Sequence, residues 1–287
     1  MDRDFSDPIY VPIPDRGLIR ISGHDRFQFL QGLITNDITR LQTSPSLYSC
    51  LLTPNGKFLF DFFVTEDGDS CRLECEGGER AQHLLQKLKM YQLRADVTLE
   101  MEEERRVIYA LLFPPSVLPS HAAEDSGVET SYPDPRHPRM GLRTLDKPHS
   151  IPAAPFDIWD SHRIKLGIPD GSRDMSPEKS TLLECGIDTF HGVSFDKGCY
   201  MGQELTARMH HRALTKKALV PVQFDGPPPP PFSDLRDDDG ALIGEMRSSC
   251  GSLGLALLRK DVTLRVGAAN NGMYLYVSSE PELPVEG

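Results

Sequence analysis

The run Phe58-Leu59-Phe60-Asp61-Phe62-Phe63-Val64-Thr65, then Glu66-Asp67-Gly68-Asp69, then Ser70-Cys71-Arg72-Leu73-Glu74-Cys75, decides the fold class. Two β-prone arms flank a short polar stretch containing glycine, a strong hairpin signal. In the second arm Cys71, Leu73 and Cys75 alternate with polar residues, so both cysteines are expected on the buried face of a strand. Outward from the hairpin, Glu79 to Tyr91 reads as an amphipathic helix with Leu84, Leu85 and Leu88 on one side. Val97 to Met101 and Val107 to Phe113 return as strands. Two strands, a helix and two strands predict an α+β layer with the helix packed on an antiparallel sheet. Upstream, Gly17 to Ile21 is β-like, and Ser22 or Asp25 is placed to cap a helix carrying Phe27, Leu30, Leu33 and Ile34.

Downstream the composition changes. Prolines crowd the stretch from Pro114 to Pro155, which reads as a long loop or linker. An α-rich segment follows, from Phe156 to about Leu214. Short strands come next: Ala218 to Phe224, Ala241 to Glu245, Leu253 to Leu258, Thr263 to Val266 and Met273 to Val277. They suggest a small C-terminal barrel, with Pro227–Pro231 a spacer in one of its loops.

The chain of 287 residues is long enough for more than one folding unit, and no apolar run approaches the length of a membrane span. Its start, Met1-Asp2-Arg3-Asp4-Phe5-Ser6-Asp7, has neither the pattern of a secretory signal nor that of a mitochondrial presequence. The expectation is a cytoplasmic protein, or a mitochondrial-matrix one if the chain is eukaryotic and a presequence is missing. A net charge of −11 argues against direct nucleic-acid binding. The six cysteines show no C-x-x-C pair and no zinc spacing, so no metal site is expected. The dinucleotide, P-loop, zincin and nucleophile-elbow motifs are also absent.

One octapeptide stands out, Lys197-Gly198-Cys199-Tyr200-Met201-Gly202-Gln203-Glu204. It sets a thiol between a cation and two glycines, just before a helix-like run from Gln203 to Arg212. A lysine and a helix N-terminus both favour the thiolate, the nucleophilic and metal-binding form. Cys199 and Lys197 are therefore the candidate reactive pair, and Glu204 reads as a first-turn helix residue. The cluster Arg208, His210, His211, Arg212, Lys216 and Lys217 follows, either a solvated face or a docking site for an anionic ligand or acidic partner. Trp159, the only tryptophan, shares a helix face with Arg163. The pair reads either as a core anchor with an exposed arginine, or as a flat platform for a heteroaromatic ring with Arg163 meeting a carboxylate.

On these stretches the chain resembles the YgfZ-type, tetrahydrofolate-linked iron–sulfur cluster assembly proteins, relatives of the glycine-cleavage T-protein (aminomethyltransferase). Lys197 to Glu204 reproduces the family's K-G-C-[YF]-x-G-Q-E in full. Phe29 to Asp37 is similar to its F-L-Q-G-x-x-T-x-D, and Asp134-Pro135-Arg136 with Gly141-Leu142-Arg143 to its D-P-R…G-x-R. Ala207 to Arg212 and Gly254 to Arg259 are similar to later stretches. The resemblance implies a T-protein-like arrangement of three parts around a central folate cavity. A folate-binding core domain would comprise residues 1–45 plus 156–214. A ferredoxin-like α+β domain would span 46–155, with its Pro-rich loop at 114–155, and a β-barrel 215–287. It implies tetrahydrofolate or a derivative as ligand, with Trp159, Arg163, Tyr48, Asp61 and Asn36 as its contacts. It also implies [4Fe–4S] client proteins or other iron–sulfur assembly factors as partners.

Two departures matter. A second tryptophan of the bacterial relatives would fall at Arg16. Phe60 also takes the first place of the T-protein's aspartate pair, leaving Asp61 as the second. Phe supplies no proton acceptor, which argues against aminomethyl transfer. Three readings follow: a folate-binding accessory factor for assembly or repair of [4Fe–4S] proteins that uses Cys199, a T-protein-type aminomethyltransferase, and a non-enzymatic client-docking module. One cysteine does not hold a [4Fe–4S] cluster alone.

Overall fold

The computed structural model describes residues 7–102, 107–114, 128, 130–237, 239–261 and, as backbone, 273–275. Strands β1 (Ile9–Ile13) and β2 (Arg16–Ser22) lead into helix α1 (Arg26–Gln31), then β3 (Ser46–Leu52). The hairpin is β4 (Phe58–Asp67) and β5 (Ser70–Glu76), followed by α2 (Gly78–Gln92), β6 (Thr98–Met101) and β7 (Ile108–Leu112). Asp67 pairs with Ser70, so the turn is only Gly68-Asp69, and Gly68 takes the positive φ of 61° that such a turn needs. Helix α1 is shorter than expected: Leu33 and Ile34 lie beyond its end. Asp25 stands at its N-cap without capping it, its carboxylate accepting from the Asp96 amide at 2.9 Å instead.

The first sheet has the antiparallel order β3-β4-β5-β2-β6, and α2 packs on β2, β5 and β6. The expected layer of helix on sheet is present, with two differences. Strand β2 inserts between β5 and β6, so the expected boundary at residue 45 cuts through this sheet. Strand β7 leaves it and pairs with β1 and with β9 (Leu142–Thr144), which also pairs with β8 (Ser131–Pro133). The Pro-rich stretch is thus partly built into a second sheet of order β1-β7-β9-β8. Ion pairs bury Asp134, Arg136 and Arg143 within it, the anchoring that proline content does not reveal.

Strands β3 and β4 are buried on both faces, and their period of two sorts side chains between two cores. Leu47, Leu51, Phe60, Phe62 and Val64 join α2's Leu84 and Leu88, with Cys71, Leu73 and Cys75. Tyr48, Cys50, Leu52 and Phe63 face Met175, Leu182, Ile187 and Tyr200 on the opposite side. That inner side is formed by the segment containing α3 (Phe156–Lys165) and α4 (Gln203–Arg212). The C-terminal unit is a third antiparallel sheet: β10 (Lys217–Phe224), β11 (Asp234–Arg236), β12 (Leu242–Cys250), β13 (Leu253–Arg259) and β14 (Met273–Leu275), in the order β11-β12-β13-β10-β14. Strand β11 has no counterpart among the strands expected from sequence, and the strand expected at Thr263–Val266 lies outside the described residues. No helix among the described residues is long and apolar enough to cross a membrane.

Candidate functional site

Residues Phe29 to Asp37 and the octapeptide, over 160 positions apart in sequence, meet in space. The Lys197 ammonium donates to three carbonyl oxygens, of Gln31 at 2.8 Å, Ile34 at 2.8 Å and Asn36 at 2.7 Å. Thr35 adds a bond to the Gly192 carbonyl at 2.6 Å, and the Met201 amide donates to Gly32 at 3.1 Å. Burial pushes the Lys197 amine down to about 8, with Asp37 opposing, so at neutral pH it keeps its proton. All three of its N–H donors have carbonyl acceptors. Through these bonds Lys197 staples the octapeptide to the loop after α1, so its N–H donors are directed at carbonyl oxygens and not at the thiol.

Cys199 is the one cysteine of the six that is exposed; Cys50, Cys71, Cys75 and Cys185 are buried and Cys250 is half-buried. Its neighbours explain its presentation. Lys197 is anchored on one side, and Tyr200, 9% exposed, sits in the inner core on the other. Gly202 caps α4 with φ of 79°, and a Cβ there would come within 2.4 Å of the Thr53 carbonyl. The reverse contact is as tight, since a Cβ on Gly56 would meet Gly202 O at 2.7 Å. The backbone of the octapeptide is therefore pressed against the turn before β4, a close approach that only glycine permits. Gly198 has open space around its Cα and is not required on that ground.

Four residues before the thiol in sequence, Phe195 is 38% exposed and its ring stacks on His210 with centroids 3.8 Å apart and an 18° interplanar angle. Arg208, His210, His211, Arg212 and Lys216 are exposed on and just past α4, where cations suit the helix C-terminus. The thiol, an aromatic platform and a basic helix end belong to one continuous segment, 195–216. Phe195 escaped the sequence reading; an aromatic flanking a glycine-bounded turn was the available signal. Glu204 lies in the first turn of α4, exposed, as expected.

The five expected folate contacts are all buried: Asn36 at 2%, Tyr48 at 0%, Asp61 at 6%, Trp159 at 1% and Arg163 at 0% exposure. Trp159 lies in a core with Val11, Leu18, Ile168 and Phe190 rather than on a platform. Arg163 is neither exposed nor free for a ligand carboxylate. Its Nε donates to Asp160 at 2.7 Å, Nη1 to Asp174 at 2.7 Å and Ile168 O at 3.0 Å, and Nη2 to Ser248 at 2.8 Å. The Asn36 amide donates to the Tyr48 and His191 carbonyls at 2.8 and 2.7 Å. The Tyr48 hydroxyl donates to Asp61 at 2.9 Å, and burial raises the Asp61 carboxyl despite Arg16. Only the Trp159 indole N–H among these five is buried without a partner. The residues as placed do not form a folate cradle. A cleft of about 490 Å³, lined among others by Glu184, Phe190, Met209, His210, Leu219 and Lys260, contains none of the five.

Phe60 and Asp61, adjacent in β4, point to opposite faces. The Phe60 ring lies in the outer core with the Arg80 guanidinium 4.2 Å from its centroid, whereas Asp61 faces inward to Tyr48. Phe60 therefore removes no acid from the inner face. Arg16, at the expected place of a second tryptophan, instead pairs with Glu74 at 2.8 Å. Among the described residues no group of three or more His, Cys, Asp or Glu is placed to hold a metal.

Comparison with known proteins agrees with this architecture. Residues 216–276 match the family described as CAF17, C-terminal beta-barrel domain. The iron–sulfur cluster assembly factor IBA57, mitochondrial, of Homo sapiens is 33% identical over 93% of this chain and 83% of its own length. Its Mus musculus counterpart is 34% identical over 86% of this chain and 76% of its own. In fold, the chain is similar to the glycine cleavage system aminomethyltransferase T from Bartonella henselae, with a TM-score of 0.65 and 16% identity. That similarity covers 88% of this chain and 78% of the other. The expected YgfZ-type resemblance is narrowed by these relatives, and the chain belongs to the family of IBA57 iron–sulfur cluster assembly factors.

Proposed function

We propose that this protein is an accessory factor for the assembly or repair of [4Fe–4S] proteins and acts through the exposed Cys199 thiol. The observation that carries the reading is the presentation of Cys199: a backbone locked on both sides, by Lys197 and by Tyr200 with Gly202, holds one thiol outward. A single thiol supplies one of the ligands an iron–sulfur cluster takes, so the rest come from a partner protein or small thiols. The Phe195–His210 stack and the basic end of α4 lie in the same segment and suit an acidic assembly partner or client. Complementation tests the reading. A Cys199→Ala variant is expected to fold normally and fail to restore [4Fe–4S] enzyme activity in a strain lacking the factor; restored activity would overturn it.

The aminomethyltransferase reading is not favoured, although Phe60 no longer speaks against it; the IBA57 relatives are named as assembly factors. The client-docking alternative gives Cys199 only a structural part and leaves the docking to the basic cluster, and the same variant separates the two. Tetrahydrofolate remains a ligand supported by the T-protein-like fold and opposed by the burial of its five expected contacts. Titration of tetrahydrofolate against Trp159 fluorescence tests it, and no saturable change removes the ligand from the reading. The named relatives are mitochondrial, and we place this chain in the mitochondrion rather than the cytoplasm, to be checked by organelle fractionation.

A further inference from the structure

The cleft of about 490 Å³ opens at the seam between the core and the C-terminal sheet, and its walls come from both. On the core side stand the segment 183–190 and the last turn of α4. On the other side stand β10 and Lys260, the residue that follows β13. Small-molecule sites favour such seams, where two units leave a concavity that neither fills alone.

The core wall is held by its own backbone. The Ile187 amide donates to the Leu182 carbonyl at 3.1 Å, Phe190 to Gly186 at 3.0 Å and Gly192 to Ile187 at 2.7 Å. Gly186 turns the chain there at φ of 70°. A wall tied in this way needs no ordering to receive a ligand, so little binding energy is lost to entropy.

The interior of the cleft is apolar. Phe190 and Met209 are buried, at 9% and 8% exposure, and Leu166, Leu183 and Leu219 are half-buried around them. The charges divide by wall. Glu184 and Asp188, both half-buried, belong to the core side, and the Thr181 hydroxyl donates to the Glu184 carboxylate at 2.8 Å. Lys260 belongs to the other side. Its amide donates to the Lys216 carbonyl at 2.9 Å, and its ammonium donates to the hydroxyl of Thr215, which also lines the cleft. A polyanion would meet two carboxylates here, and a simple amine would leave Lys260 facing its apolar body. A ligand carrying one charge of each sign complements both walls.

We infer that this cleft binds a small zwitterion with an apolar body, an apolar α-amino acid or a short apolar peptide. The ligand's ammonium lies toward Glu184 and Asp188, its carboxylate toward Lys260, and its side chain against Phe190 and Met209. The site goes beyond the assembly role and shares with the thiol-bearing segment only His210, which lines the cleft and stacks on Phe195.

Calorimetric titration of the full chain tests this with L-phenylalanine and L-leucyl-L-phenylalanine as zwitterions. The single-charge analogues are 3-phenylpropionate, which lacks the ammonium, and phenethylamine, which lacks the carboxylate. At least one zwitterion is expected to bind saturably below about 10 mM, and each analogue at least about fivefold more weakly. Tighter binding of phenylalanine assigns the cleft to free amino acids, and tighter binding of the dipeptide assigns it to peptides. Lys260→Met and the double variant Glu184→Gln/Asp188→Asn are each expected to weaken the zwitterion at least about fivefold, with Trp159 fluorescence of the unliganded protein unchanged. Lys89→Met, which removes an exposed lysine of α2 outside the cleft, leaves binding as in the parent. The comparison of analogues uses the parent protein and needs no variant to fold. The inference is overturned if neither zwitterion saturates, if either analogue binds as tightly as the zwitterions, or if Lys260→Met binds them as the parent does.

Discussion

Lys197→Met separates two roles that the octapeptide allows. The substitution keeps an apolar stem but removes the ammonium and its three bonds to Gln31, Ile34 and Asn36 carbonyls. A hydrogen bond to a charged group is worth about 1.5–3 kcal/mol, but Lys197 is half-buried and water replaces part of each bond. About 1 kcal/mol per bond is therefore a conservative figure, giving a loss of about 3 kcal/mol. For a chain of this size that lowers the melting temperature by about 6 °C. Urea unfolding at neutral pH is read through Trp159, the only tryptophan and 1% exposed in the native core. A parallel measurement follows alkylation of Cys199 by iodoacetamide against pH, in a Cys250→Ser background. With Lys197 acting as a staple, stability falls while the pH profile of alkylation superimposes on that of the parent. Unchanged stability, within about 0.5 kcal/mol, together with a profile moved to higher pH would refute this and return Lys197 to the role of thiolate partner.

Gly202→Ala forces a Cβ to within 2.4 Å of the Thr53 carbonyl at a φ of 79°, so it is expected to destabilise by about 2 kcal/mol or more and to increase protease cleavage near Cys199. Glu74 pairs with Arg16 and Arg143; burial would raise its carboxyl, but the two arginines hold it down at about 2. Its contribution is present above its unfolded value near 4.5 and is lost as pH falls from there through about 2. Glu74→Gln leaves two buried guanidinium groups short of a counter-charge and is expected to cost about 3–5 kcal/mol at pH 7. The gap between its urea midpoint and that of the parent should narrow as pH drops through that window.

The hairpin, α2 and the buried faces of Cys71 and Cys75 were legible because local period and turn chemistry agree there. Strand partners were less so. Nothing local in Arg16–Ser22 says that it enters between β5 and β6, and nothing in Val107–Phe113 says that it joins β1. Asp134, Arg136 and Arg143 look like loop residues until their mutual pairing and Glu74 are seen, since a buried ion pair is a property of two distant segments. The site divides in the same way. Cys199 was found from its neighbours in sequence, whereas the direction of Lys197 was set by carbonyls over 160 residues away.

By itself the sequence determined the α+β class, the octapeptide that presents the thiol, and the basic run after it. These depend on residues within a few positions of one another, where backbone preference and periodicity act directly. Only the tertiary structure decided which charges are spent. It turned Lys197 onto carbonyl oxygens and Arg163 onto Asp160 and Asp174, and it aimed Phe60 and Asp61 at opposite cores. The reason is that a polar group's chemistry depends on what is left of its hydrogen-bonding capacity after folding, and its partners come from segments remote in sequence.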